Sequence, residues 1–396
     1  MKKFDKERVL LAVAGPVIAL IAAVALTSVV LLASGKSPIE PYSLMFEQAG
    51  FSDVQVLIIN QAGMYYLAAL AVAIGFRMNL FNIGVDGQYR LAAMVTAVVG
   101  AHVSLPSGLQ IPLLILVAML TGAFWAGIAG ILKTTRGVSE VVATIMLNAI
   151  ATSVIGYLTL TENFGVPVGN NQTTGVMHKS GWFPGISMGD SGEIYGFVVI
   201  AALGGVLYWL VLNRTRFGFD LRATGASQSA AAASGVNAKR MVLTAMIISG
   251  AVAGLAGMPI LLGDVHTYSL SFPTGLGFTG ITIALLGRNN PVGIAFAALL
   301  IAFLDKASPA LDYAQPVAYD KEIAVIMQGL IVIAVVVSYE AVRRWGLRRQ
   351  QQRVGEELAA AARAAGADNG NNGNNGNNGN NGNNGNNDTV KEVAAR

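Results

Sequence analysis

The chain has 396 residues, of which 54% are apolar and 12% charged, and its mean hydropathy is +0.56. An ordinary soluble domain carries about 25% charged residues, so a soluble enzyme of one or two domains is excluded. The absence of cysteine removes disulfides, thiolate metal sites, a cysteine nucleophile and a lipid-acceptor cysteine, while the net charge of +4 is informative only once the charges are placed.

A basic head (Lys2, Lys3, Lys6, Arg8) precedes an apolar run over Val9–Ala33. That run exceeds the core of a secretory signal, about 7–15 residues, and reads as a retained helix. Further runs follow at Val54–Phe76, Gln88–His102, Gln110–Leu132, Val141–Leu160, Ile194–Leu212, Met241–Leu262, Gly277–Gly287, Pro291–Asp305 and Ile323–Tyr339. About 18 or more such residues cross a bilayer as a helix. The expectation is an all-α polytopic membrane protein with about ten transmembrane segments, two of them short or broken.

Alternate threading with the N-terminus inside puts Arg77, Lys133, Arg136, Arg214, Arg216, Arg222, Lys239, Arg240, Arg288, Arg343, Arg344, Arg348 and Arg349 in the cytoplasm. Only Lys36, Lys179, Lys306 and Lys321 then lie outside. The positive-inside rule therefore places both termini in the cytoplasm. Residues 1–8 form the cytoplasmic head and residues 9–342 the membrane domain. Within that domain, 161–193 is an external loop and 213–240 a cytoplasmic one. Residues 343–396 are a cytoplasmic tail, and its Asn/Gly repeat Asn369–Asn387 cannot bury enough apolar surface to order itself. The external loop carries Phe164, Trp182 and Phe183 and reads either as a cap over a pathway or as a plain connector. In the cytoplasmic loop, the small-residue stretch Ser227–Ser234 between basic flanks predicts a short helix along the membrane face.

Gly277–Gly287 covers about half of a hydrocarbon core of about 30 Å. It ends at Arg288-Asn289-Asn290-Pro291, at the inner surface, so the polar stretch Asp264–Thr274 must dip inward to meet it. Irregular backbone at that depth is tolerated only inside protein or beside a water-filled cavity. A second break spans Asn79–Gln88. Breaks at matching places predict an inverted repeat with a pathway between its halves. Ala143-Thr144-Ile145-Met146 and Ala324-Val325-Ile326-Met327, which open oppositely directed helices, fit that repeat. Asn60, Gln61 and Asn148, inside spans, either line a pathway or bond to a neighbouring helix. Arg90 is expected to reach back to the inner surface. Gly250-x-x-x-Gly254 followed by Gly257 predicts close helix approach.

Other motifs fail on context. Gly275–Gly280 matches G-x-G-x-x-G but has neither a preceding strand nor a soluble βαβ unit. Gly35-Lys36-Ser37 resembles the end of a phosphate-binding loop, but Val30 stands where its first glycine is required. The three histidines lie far apart and no metal is assigned.

Four stretches, in order, resemble one family. Phe81-Asn82-Ile83-Gly84-Val85-Asp86-Gly87-Gln88 resembles the FNIG-V-(E/D)-GQ signature of permease subunits of ABC importers of the branched-chain amino acid, simple sugar and nucleoside class. Glu140–Asn148 is similar to its TIMLN segment, Leu221–Gly225 with Ala230–Gly235 to its LRAxG cytoplasmic loop, and Gly277–Pro291 to its GFxGIxxALLGRNNP segment. The boxes look most like the nucleoside-type branch. The Asn/Gly tail lies outside the family pattern.

The resemblance implies a prokaryotic cell-membrane permease working with ABC ATPase subunits, an external solute-binding lipoprotein and a second permease chain, as a heteromer rather than a homodimer. It implies no nucleic-acid partner. The chain would bind no cofactor itself, ATP being used by the partner subunit. Coupling to the ATPase falls on the loop residues Arg222, Gly225, Ser229, Ala232 and Gly235. The solute pathway falls on Asn60, Gln61, Asn82, Asp86, Gln88, Asn148, Phe278 and Thr279, whose largely neutral hydrogen-bonding groups suit a neutral polar solute such as a nucleoside. A simple-sugar or autoinducer permease shares the architecture. An ion-coupled carrier would use Asp86 as its carboxylate, and an intramembrane enzyme lacks a visible nucleophile–base pair.

Overall fold

Helices form wherever the sequence carries an uninterrupted apolar run. The computed structural model describes residues 6–169, 171–313 and 323–334, with positions 337, 344, 345, 351 and 355. The chain divides into one unit over Ala12–Tyr339 and a second formed by residues 1–11 and 340–396. The Asn369–Asn387 repeat and the end of the tenth apolar run lie outside the described residues.

In chain order the helices are α1 (Lys6–Ala33), α2 (Glu40–Gln48), α3 (Ser52–Phe76), α4 (Val85–His102), α5 (Ser107–Arg136), α6 (Glu140–Leu158), α7 (Phe197–Arg214), α8 (Arg216–Ala226), α9 (Gln228–Ala233), α10 (Ala238–Gly254), α11 (Met258–Ile260), α12 (Leu276–Leu286), α13 (Pro291–Ala307) and α14 (Ile323–Ala334). Among the described residues, six stretches are long and apolar enough to cross a membrane: α3, α5, α6, α7, Ala238–Val265 and Pro291–Leu311. α12 and α14 are shorter apolar helices, as is the Ile21–Ala33 part of α1. Apolar side chains such as Ile145, Met146, Leu203 and Leu207 point outward from α6 and α7, as on a polytopic membrane protein.

Three features depart from the sequence reading. α2 was not expected. The fold is not purely α: the 161–193 region holds two small antiparallel hairpins, Val166–Val168 with Asn171–Thr173 and Ile186–Ser187 with Glu193–Ile194. These segments lie outside the helices and pair their backbone groups with one another. The third departure is α4, which begins at Val85 rather than Gln88, so that Asp86 sits in its first turn. A carboxylate there faces the positive end of the helix dipole.

α3 is the central helix. Ala68, Ala69, Ala71, Val72 and Ala73 are fully buried, and α7, α10, α12 and α13 pack around it. An all-round apolar helix belongs in such a position. Side-chain caps start the helices of the 213–240 region: Thr215 Oγ1 accepts from Gly218 N, Ser227 Oγ from Ala230 N and Asn237 Oδ1 from Arg240 N. Non-glycine residues with left-handed backbone fall at the turns: Asn79 after α3, Arg288 and Asn289 after α12, and His266. The Asn79 turn and the Arg288–Asn289 turn meet, because Arg77 Nη2 donates to Asn289 O at 2.7 Å.

α5 and α10 approach until backbone touches backbone, as the small-residue spacing predicts. A Cβ on Gly122 would collide with Gly250 O, one on Gly250 with Gly122 O, and one on Gly254 with Ala118 O. Gly250→Val should therefore destabilise the protein by about 1–3 kcal/mol through overpacking, read as a lower thermal midpoint in detergent. Gly156→Ala, where a Cβ meets nothing within 4 Å, serves as the control and should leave the midpoint in place. Equal midpoints for both variants would contradict the packing argument.

Candidate functional site

The two breaks expected from the sequence meet in the structure. α4 starts at Val85 and α12 at Leu276, and the Asp86 carboxylate joins these two beginnings: its Oδ1 accepts from Gly275 N at 2.8 Å. Gly277 lies so close to the Asp86 backbone that a Cβ would come within 3.0 Å of its Cα, and Gly280 lies equally close against Ala68. The glycines of the Gly275–Gly280 motif thus serve backbone approach. One acidic group faces the positive ends of two helices, an arrangement that stabilises both.

Amides brace the backbone leading into this junction. Asn82 and Gln88 form a reciprocal side-chain pair at 2.9 and 3.0 Å. Asn82 Oδ1 also accepts from Gly84 N, and its Nδ2 donates to Ser249 Oγ, which in turn donates to Ala71 O. Asn148 reaches from α6, donating to Ile83 O at 2.9 Å and accepting from Gly87 N at 2.8 Å. Asn82 and Gln88 are buried. The structure therefore brings Asn82, Asp86, Gln88 and Asn148 together. Phe278, 55% exposed, and Thr279 stand on the first turn of α12 beside them.

Asn60 and Gln61 are not part of this cluster. Asn60 lies about 16 Å up α3 from Ala71 at the helical rise per residue. Its amide donates to Glu193 O and accepts from Tyr195 N, both at 2.9 Å, tying α3 to the end of the second hairpin. Gln61, the next residue, is buried.

Arg90 is a correction. It does not reach back to a surface: its side chain is 11% exposed, 4.0 Å from Asp86 Oδ2, and its Nη1 donates to Thr152 Oγ1 at 3.1 Å. One turn along α4, Asp86 offers a counter-charge that removes any need to snorkel. The i,i+4 spacing of Asp86 and Arg90 was the signal available in the sequence.

The 213–240 region packs against the turn that enters the break. Asn79 Nδ2 donates to Gly225 O at 2.7 Å, and a Cβ on Gly225 would collide with Arg77 O. Arg222 Nη1 donates to Leu212 O, holding α8 to the end of α7. Ser229, Ala232 and Gly235 are exposed on and after α9, with Gly235 ending it in a left-handed conformation. A cleft of about 370 Å³ opens between α8 and the start of α10, with Arg216, Asp220 and Arg240 in its walls.

On the opposite side, the hairpin segment is stitched to the end of Ala238–Val265 and the stretch that follows it. Thr174 N donates to Tyr268 O at 3.0 Å and Tyr268 N to Thr174 Oγ1 at 3.1 Å; Met177 N donates to His266 O and Phe183 N to Leu262 O. The Trp182 and His266 rings stack with centroids 3.8 Å apart. Tyr195 donates to Asp264 Oδ2 at 2.9 Å, and burial together with that carboxylate holds its phenol above the usual range. Sequence reasoning missed Thr174, Tyr268 and the Trp182–His266 pair, whose partners are too distant along the chain to show a local pattern.

Among the described residues no three histidine or acidic side chains converge to hold a metal ion. What the geometry defines is an interrupted helical membrane protein: two broken elements meet at a charged junction, one surface layer touches the entry turn, and another is pinned above.

The chain belongs to the family described as the branched-chain amino acid transport system permease component, which matches residues 55–336. It is 35% identical to the guanosine ABC transporter permease protein of Bacillus subtilis over 285 residues, 70% of this chain and 80% of that protein. It is 31% identical to the nucleoside ABC transporter permease protein of Lactococcus lactis over 307 residues, 75% and 84% of the two chains. A third relative is the glucose ABC transporter permease protein of Haloferax volcanii, 31% identical over 367 residues, 89% and 94% of the two chains.

Burial holds the His266 imidazole below its ordinary pKa, against the opposing pull of Asp264 and Glu193. The unfolded histidine, near 6.5, then binds its proton first as pH falls. The stability this group contributes is therefore full above about 6.5 and lost as pH falls through the depressed folded value. Amide exchange at Met177 and Trp182, corrected for intrinsic rate, should accelerate as pH falls below about 6.5, and His266→Gln should abolish that step. A pH-independent wild type would contradict the assignment.

Proposed function

We propose that the chain is the membrane-spanning permease of an ATP-driven ABC importer for nucleosides, forming the route for a neutral polar solute. The family match and the nucleoside-type relatives support the class and the solute. The observation that carries the mechanism is the contact between α8 and the Arg77–Asn79 turn, which leads directly into the Asp86 junction. Docking of an ATPase subunit on the exposed α9 surface, around Ser229, Ala232 and Gly235, gives ATP hydrolysis a lever. Arg222 and Gly225 transmit its movement, and the helices rock about the junction. No cofactor is bound by this chain in that scheme, and ATP is consumed by the partner.

The same reading assigns about ten transmembrane segments within 9–342 to a cell membrane, with cytoplasmic termini and an inverted repeat whose matching breaks are Asn79–Gln88 and the Asp264–Thr274 stretch leading into α12. Residues 213–240 then face the ATPase, and 161–193 face an external solute-binding lipoprotein. Asp86, Phe278 and Thr279 border the route. Asn82, Gln88 and Asn148 hold its broken wall in shape, and Asn60 and Gln61 serve its outer end. Thr152 and Phe278 are exposed beside Arg90 and Asp86, so a second, related permease chain completes the wall.

A sugar is the second reading, favoured by the Haloferax glucose permease, which matches 89% of this chain. Guanosine, other ribonucleosides and glucose all present neighbouring hydroxyl groups.

Deleting Ser227–Ser234 tests the coupling assignment in the complete transporter. The variant should still insert and assemble in the membrane, while ATP-dependent uptake of labelled guanosine or uridine falls to background. Unchanged uptake would refute the role of this loop.

A further inference from the structure

Two buried polar atoms beside the Asp86 junction lack a hydrogen-bond partner among the described residues, and one Asp86 oxygen has only an ion pair. Tyr268 is 0% exposed, and its hydroxyl has no hydrogen-bond partner among the described residues. The Arg90 Nε–H is likewise buried without a partner, although Nη1 is engaged by Thr152. Asp86 commits Oδ1 to Gly275 N, but its Oδ2 stands 4.0 Å from the guanidinium, beyond hydrogen-bond range. Arg90, whose guanidinium faces the Tyr268 hydroxyl at close range, and Asp86 are the charged groups that act on it.

Orphaned buried donors are rare in native proteins and call for a reason. These three are also held rigidly. The Tyr268 backbone is tied on both sides to Thr174, and its ring packs on Phe272 with centroids 5.0 Å apart. Asp86 is fixed by α12 and Arg90 by Thr152. A preorganised set of uncommitted polar groups is what a recognition site requires.

We propose that Tyr268, Arg90 and the second oxygen of Asp86 form a recognition site for a vicinal diol. Two neighbouring hydroxyls donate to the carboxylate, while their oxygens accept from the guanidinium Nε–H and the phenol. One carboxylate and one guanidinium cancel, so the solute that fits is neutral. The proposal rests on the transport reading above, and the diol is the group that the nucleoside and sugar alternatives share.

The test uses the complete transporter in vesicles. Uptake of a ribonucleoside is compared with that of its 2′,3′-dideoxy analogue for the wild type, Tyr268→Phe and Arg90→Lys. The external binding protein is the same throughout, so a change in the ratio between variants belongs to this chain. Each substitution should lower the ribo-to-dideoxy ratio by about fivefold to tenfold, the effect of one lost hydrogen bond of this kind. Purified Tyr268→Phe should keep or raise the thermal midpoint, because it removes only an unpaired buried oxygen. An unchanged ratio overturns the proposal. So does a lowered midpoint for Tyr268→Phe, which would mean that the hydroxyl is bonded structurally. If the wild type accumulates no nucleoside, the nucleoside reading fails instead, and the same comparison of glucose with its 2,3-dideoxy form decides the diol site.

Discussion

The Asp86 carboxylate holds together the part of the fold that a membrane tolerates least. Two helices begin at this point, each presenting unpaired backbone N–H groups, and the segments leading to them are irregular. Placed in an apolar interior, such ends are costly unless something accepts their hydrogen bonds. Asp86 takes the Gly275 N–H and faces both dipoles. Asn148, Asn82 and Gln88 satisfy the surrounding backbone and one another. Glycine at 277 and 280 lets the two broken elements touch. An ordinary bundle has no use for this arrangement, whereas a protein that must open a route between its helices does.

The junction communicates in two directions through direct contacts. Toward one face, the path runs from Gly225 through Asn79 and Arg77 into the turn before α4. Toward the other, it runs from the hairpin segment through Thr174 to Tyr268. On the proposed reading, the first contact receives movement from an ATPase, and the second links the outer segment, where a solute-binding protein docks, to the residues that meet the solute. Both links are direct hydrogen bonds, so each surface layer is in contact with the segments that lead to the junction.

Much of this was legible in the sequence, for physical reasons. Apolar run length announces a membrane helix, and a polar interruption at Asn79–Gln88 or Asp264–Thr274 announces a break, because both are local properties. The Gly250–Gly254 spacing announced close packing and delivered it against Gly122. That the two breaks meet was not readable in detail: Gly275 and Asp86 are 189 positions apart, and Thr174 and Tyr268 are 94 apart. Arg90 was misread because a lone arginine in a span ordinarily snorkels, and its partner one turn away was credited to the break instead. The hairpins escaped notice because their strands are two or three residues long, too short to show an alternating pattern.

On the proposed reading this chain is a conduit whose driving force comes from elsewhere, entering through α8 and α9. Reconstitution into liposomes tests it most directly, with internal labelled nucleoside measured against the external concentration. The complete assembly with ATP should concentrate the solute, and the lone chain should reach no more than equal concentrations on both sides. Accumulation against the gradient by the lone chain, with no companion protein present, would contradict the account.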